Sequence, residues 1–207
     1  MTLYQIGNIT MPAVWIATLI ALALSAVVWR IINGEKIGEW YWNAFTLYFL
    51  VWKASYILFN FEEFIDFPMS VLYFNGGASG HMLALAALSV YLWLAVKKHP
   101  GLYRDALPVL LLFFIGFEAA LSMLEQQLAS SVLQTILFVC IAAFLYASRK
   151  KNISSSTQIY VLFVLAEALI LSLFQTFFSS EPLTFSWLAL TAFALARFRK
   201  SEVIIHE

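Results

Sequence analysis

Cysteine is nearly absent. Cys140 stands alone in 207 residues, which excludes an intrachain disulfide framework, a cysteine zinc site and a CxxC redox pair. It falls inside an apolar run, where a small packing residue is expected. Charge is also scarce: 12% charged against 62% apolar residues excludes an ordinary soluble domain and describes a polytopic membrane protein. The formal net charge is zero, and nothing in it points to a nucleic-acid partner. No residue cluster implies a metal ion or another cofactor.

What the chain does have is apolar runs. Seven are long enough to read as spans, at about 12–31, 41–60, 80–96, 107–127, 131–147, 158–178 and 183–198. Their connections are short, so they use nearly the whole chain. The expectation is all-α: one integral membrane domain over 1–207 whose active site lies among helices or in outer loops.

The few cations are placed with a strong bias. Arg30 and Lys36 follow the first run, Lys97, Lys98 and Arg104 the third, Arg149, Lys150 and Lys151 the fifth, and Arg197, Arg199 and Lys200 the seventh. Eleven of the twelve Lys and Arg therefore sit in gaps that share one side of a membrane. Cations are retained on the cytoplasmic side, so the expected topology has the N-terminus outside and the C-terminus inside. No basic stretch precedes the first run, so it reads as a retained span and not as a cleaved signal peptide.

Between the second and third runs lies an aromatic stretch from Asn60 to Asn75 that includes Glu62, Glu63, Asp66 and Pro68. It is expected at the outer interface, where aromatic rings favour headgroup depth. Gly76, Gly77 and Gly80 follow, just before His81, and are expected to break helix and admit close backbone approach. Ser154, Ser155 and Ser156 read as an inner turn with a helix cap at Ser156 or Thr157.

Ionisable groups inside spans mark function or mutual pairing, because each costs about 2.5–3.5 kcal/mol in hydrocarbon by insertion scales. At 1.5 Å rise per residue, Lys53, Glu118 and Glu167 lie roughly 18, 16 and 14 Å from the inner ends of their spans, at matched depth. One reading pairs Lys53 with Glu118 or Glu167 to neutralise charge inside a bundle. The other is a polar cavity that opens outward, with His81, the glycines and Glu125 at its rim and Lys53 with the mid-depth carboxylates as its floor. In such a cavity Lys53 would hold a lipid phosphate and His81 would take a proton from a nucleophile.

The stretch Lys53-Ala-Ser-Tyr56-Ile-Leu-Phe-Asn60, then Pro68, then Asn75-Gly76-Gly77-Ala78-Ser79-Gly80-His81, resembles prolipoprotein diacylglyceryl transferase. That family carries G-x-R-x-x-Y-V-L-F-Y-N, a short loop with a proline, and G-G-M-S-F-H-G. The resemblance implies a seven-helix membrane enzyme that moves the diacylglyceryl group of phosphatidylglycerol to the lipobox cysteine of a secreted lipoprotein precursor. It assigns His81 and Glu125 to catalysis and Lys53, Tyr56, Asn75, Gly76, Gly77 and Ser79 to lipid binding. Glu118, Glu167 and Gln175 are the accompanying buried polar groups.

The chain also departs from the pattern. Lys53 replaces an arginine, and Met82 follows the histidine where the family has glycine. The stretch from Gly116 to Glu125 keeps the ends of G-R-x-G-N-F-x-N-G-E but neither its arginine nor its asparagines, and Leu171 and Gln175 stand where the sixth span would carry an arginine and a glutamate. Loss of two cations from a site that stabilises a leaving phosphate costs on the order of 3 kcal/mol or more, which argues against ordinary transferase activity. A non-catalytic relative that binds lipid or another membrane protein is therefore a second expectation. A small transporter is a third, ranked last because no paired Gly- or Pro-interrupted helices mark a transport site.

Overall fold

The computed structural model describes residues 2–7, 9–99, 101–150, 157–174 and 180–205. Gln175 and Ser154–Ser156 lie outside the described residues. Helix makes up 86% of the described residues, which places the chain in the all-helical class. Nine helices are present among the described residues: α1 (Ala13–Asn33), α2 (Glu39–Phe59), α3 (Phe61–Asp66), α4 (Ser70–Tyr73), α5 (Gly77–Lys98), α6 (Leu102–Leu124), α7 (Leu128–Lys150), α8 (Thr157–Phe174) and α9 (Ser180–Ile205). A hairpin of β1 (Leu3–Ile6) and β2 (Ile9–Pro12) precedes them, with Leu3 opposite Pro12 and Ile6 opposite Ile9. The hairpin is an addition to the expected all-helical chain.

Each of the seven apolar runs overlaps one of the seven long helices, the run at 107–127 passing beyond the end of α6 and the run at 158–178 reaching past the described residues. Among the described residues four of these helices, α1, α5, α6 and α7, are long and apolar enough to cross a membrane. α2 has the same 21 residues as α1, but Trp40, Tyr41, Trp42, Tyr48, Trp52 and Tyr56 lower its hydropathy. The exposed faces are those that lipid would require: Val132, Ile136 and Val139 on α7, and Leu162, Leu165, Leu169 and Leu173 on α8, recur at helical spacing and are exposed. Cys140 is exposed beside Val139, so it is not the core packing residue expected.

The helix ends follow from local chemistry. Pro12 precedes α1, where its missing N–H costs nothing, and Gly34 closes it in the left-handed region at φ 74, donating its N–H to Arg30 O at 2.8 Å. α6 starts at Leu102 and carries Pro108 within its second turn. Pro108 is the seventh residue of α6, past the four N–H groups that lack a partner at a helix start, so it removes the bond an N–H there would give to Arg104 O.

The chain forms two compact units, one of Met1–Ile37 with Arg104–Ala189 and one of Gly38–Tyr103 with Leu190–Glu207. In the first, Ala13, Ala17 and Ala21 of α1 pack on Phe117, Ala120 and Leu121 of α6. Tyr4 of the hairpin packs on this cluster and donates its hydroxyl to Leu124 O. α7 packs on α1 and α8, and Phe144 meets Tyr160 and Phe163. In the second unit the dominant contact is α2 with α5, and α3 and α4 pack on α2.

Candidate functional site

Three glycines shape the approach of α2 and α5. A Cβ on Gly76 would lie 2.0 Å from Ser55 Oγ and 2.8 Å from Gly80 Cα, and one on Gly80 would lie 2.2 Å from Ser55 Oγ. With buried Ala84 one turn on, these residues form a small-residue stripe that lets two helix backbones meet closely. Gly76 N–H donates to Trp52 O at 3.1 Å, and the Trp52 indole N–H donates to Gly77 O at 3.3 Å. Gly77 sits at φ 59, a conformation only glycine adopts without strain, and its N–H donates to Asn75 Oδ1 at 2.9 Å. The glycines do not break the helix as expected. Gly77 to His81 form the beginning of α5, because Asn75 and the glycine at positive φ start the helix. Ser79 is exposed on this turn.

His81 is half-buried on α5, and its Nδ1 shares a hydrogen bond of 2.6 Å with the Tyr48 hydroxyl of α2. The rings meet edge to face, with centroids 5.8 Å apart. Tyr56, one of the expected lipid contacts, is 3% exposed, stacks on Phe74 and donates to Glu63 Oε2 at 3.1 Å. It ties α3 to α2 and has little surface left for a ligand.

Lys53 lies on α2. Its ammonium donates to three carbonyls, Leu72 O at 2.9 Å, Phe74 O at 3.0 Å and Val71 O at 3.4 Å. The last carbonyls of a short helix carry partial negative charge and lack intrahelical donors, so a lysine satisfies them directly. Among the described residues the only ion pair is Arg104 with Asp105, at 3.1 Å. Lys53→Met is expected to release α4, at a cost of about 1.5–3 kcal/mol for lost bonds to a charged donor. Faster protease cleavage between Phe67 and Asn75, with the rest of the chain intact, checks this; an unchanged cleavage rate counts against the role.

The buried carboxyl groups belong to the first unit. Glu167 of α8 is 0% exposed and accepts from the Gln134 amide of α7 at 3.1 Å, while Gln134 is 1% exposed. Ser122 of α6 and Ser130 of α7 share a buried bond of 2.9 Å. Glu118 lies one turn before Ser122, and Gln134 one turn after Ser130, which sets them along one polar seam. Glu118 is 1% exposed. Glu125 lies beyond the end of α6, half-buried in the turn to α7, where it accepts from Gln127 at 3.2 Å.

The structure thus brings Lys53, Tyr56, Asn75, Gly76, Gly77, Ser79 and His81 into one unit, with Glu118, Glu125 and Glu167 in the other. Tyr48, Ser55, Trp52 and Gln134 were not singled out by sequence. Gln134 had a signal: with Ser130, Ile141 and Leu145 it falls on one buried face of α7. Among the described residues no group of His, Cys, Asp and Glu is arranged to hold a metal ion. No family model, curated protein or solved structure matches the chain.

Proposed function

We propose that the chain is a seven-span protein of a bacterial plasma membrane, N-terminus outside and C-terminus inside, that works on phospholipid or lipoprotein substrates in the manner of a prolipoprotein diacylglyceryl transferase. Seven long helices over the seven apolar runs, and eleven cations in four alternate gaps, support the topology. The function rests on one observation: His81 is held by Tyr48 at the start of α5, beside glycines that press the backbone of α5 against α2. In this reading phosphatidylglycerol is the donor lipid, a secreted precursor thiol the acceptor, and His81 the side chain on which the reaction turns.

A second reading, a non-catalytic lipid- or partner-binding protein of the same fold, is favoured by Lys53. Its ammonium is engaged by three carbonyls, whereas a leaving phosphate needs a cation of its own. Complementation of a strain depleted of its own diacylglyceryl transferase separates the two, with precursor mass as the readout. Modification by the wild type that disappears in His81→Ala is the expected result for an enzyme. An expressed wild type that leaves the precursor unmodified rejects transferase activity and supports the binding reading.

A further inference from the structure

We propose that Glu167 is a carboxylic acid whose proton closes a cyclic pair with the Gln134 amide, a proton-binding site that fastens α8 to α7. The two side chains share a matched deficit. Gln134 Nε2 donates to Glu167 Oε1 at 3.1 Å, and both residues are enclosed, at 1% and 0% exposure. Each then keeps one oxygen with nothing to accept from: Gln134 Oε1 and Glu167 Oε2 are buried and lack a hydrogen-bond partner among the described residues.

A carboxylate oxygen and an amide oxygen are both acceptors, so neither can satisfy the other. A carboxylic acid can. With its proton on Oε2, Glu167 donates to Gln134 Oε1 while its Oε1 accepts from Nε2, and one proton removes both deficits in a single ring. Turning the amide over does not dispense with the proton. The amide oxygen would then meet carboxyl Oε1, and two acceptors 3.1 Å apart again need a hydrogen between them.

No counter-charge serves in its place. Among the described residues Glu167 makes no ion pair, and α8 carries no Lys or Arg. Arg30 of α1, Arg104 of α6, and Arg149 and Lys150 of α7 stand in the end turns of their helices. The other ionisable group on the polar seam is Glu118, a second carboxyl, whose negative charge would repel that of Glu167. A neutral ring meets none of these costs. Because it is reciprocal, it closes at only one depth and rotation of α8 against α7, a register that apolar faces competing with lipid do not supply.

Infrared spectroscopy of the protein in nanodiscs reads the site directly, because a protonated carboxyl has a carbonyl band separate from the absorption of a carboxylate. At neutral pH the wild type should show such a band, and Glu167→Gln should remove it. Gln134→Leu should move the band to higher wavenumber, as the carbonyl loses its donor, and Glu118→Gln should leave it in place. If Glu167→Gln removes carboxylate absorption and no protonated band, the proposal is overturned; a bound cation, or a water beside a carboxylate, would give that result. A band that Gln134→Leu leaves unmoved overturns it as well. Exchanging the partners, Gln134→Glu with Glu167→Gln, rebuilds the ring with acid and amide reversed and decides the matter if a single variant does not fold. The exchanged protein should keep a protonated band and the unfolding midpoint of the wild type, and carboxylate absorption alone, or failure to fold, counts against the ring.

Discussion

Gly80→Ala is expected to destabilise the protein by about 1–3 kcal/mol, and Ser55→Ala in the same chain to restore most of that loss. The new methyl carbon would stand 2.2 Å from Ser55 Oγ, 3.3 Å from Ser55 Cβ and 3.4 Å from Trp52 O. The first distance is impossible, and the other two are tight but bearable with a small shift. Removing the hydroxyl therefore removes most of the conflict, although it also deletes the bond from Ser55 to Trp52 O at 2.8 Å. Thermal unfolding of the wild type, both single variants and the double variant forms a cycle in which the cost of the double variant should fall well short of the sum of the single costs. Simple additivity would show that α2 and α5 do not approach at this point. Gly76→Ala should be more severe and not rescued, because its methyl would also meet Gly80 Cα at 2.8 Å, and backbone has no rotamer to change.

Gln134→Leu alone is expected to cost about 2–4 kcal/mol, and the double variant Gln134→Leu with Glu167→Met to regain most of it. The single change leaves a fully buried carboxyl group without the amide that donates to it. The double change replaces both polar groups by apolar ones of similar volume. The midpoint of thermal unfolding in detergent measures both. A double variant less stable than Gln134→Leu would mean that Glu167 has a task other than its bond to Gln134.

The long helices were legible because each needs only a run of apolar residues, and that signal is local. The interactions between helices were less so. Matched depth suggested that Lys53 would seek Glu118 or Glu167, since a buried ammonium and a buried carboxylate attract. Depth along a span does not say which way a side chain faces, however, and the end of α4 supplies carbonyls close by. The Tyr48 and His81 pair was hidden for a related reason. Its register depends on how the connection between α2 and α5 folds into α3 and α4, and an aromatic stretch read as interfacial gives no such length. The glycines were recognised as points of close approach but misread as a break, because Gly77 at positive φ starts a helix here instead of ending one. Gln134 escaped because an amide in an apolar run carries no charge to draw attention.

The turn between α6 and α7 bears on how the chain enters its membrane. Three residues, Glu125 to Gln127, join the two helices, with Gln126 at φ 61, and Ser122 reaches Ser130 across only eight positions. A polar contact that closes over so short a loop needs no other part of the fold. It can form while the rest of the polypeptide is still being synthesised. The two helices can then leave the insertion machinery as one hairpin, with their serines already matched to each other and shielded from the acyl chains.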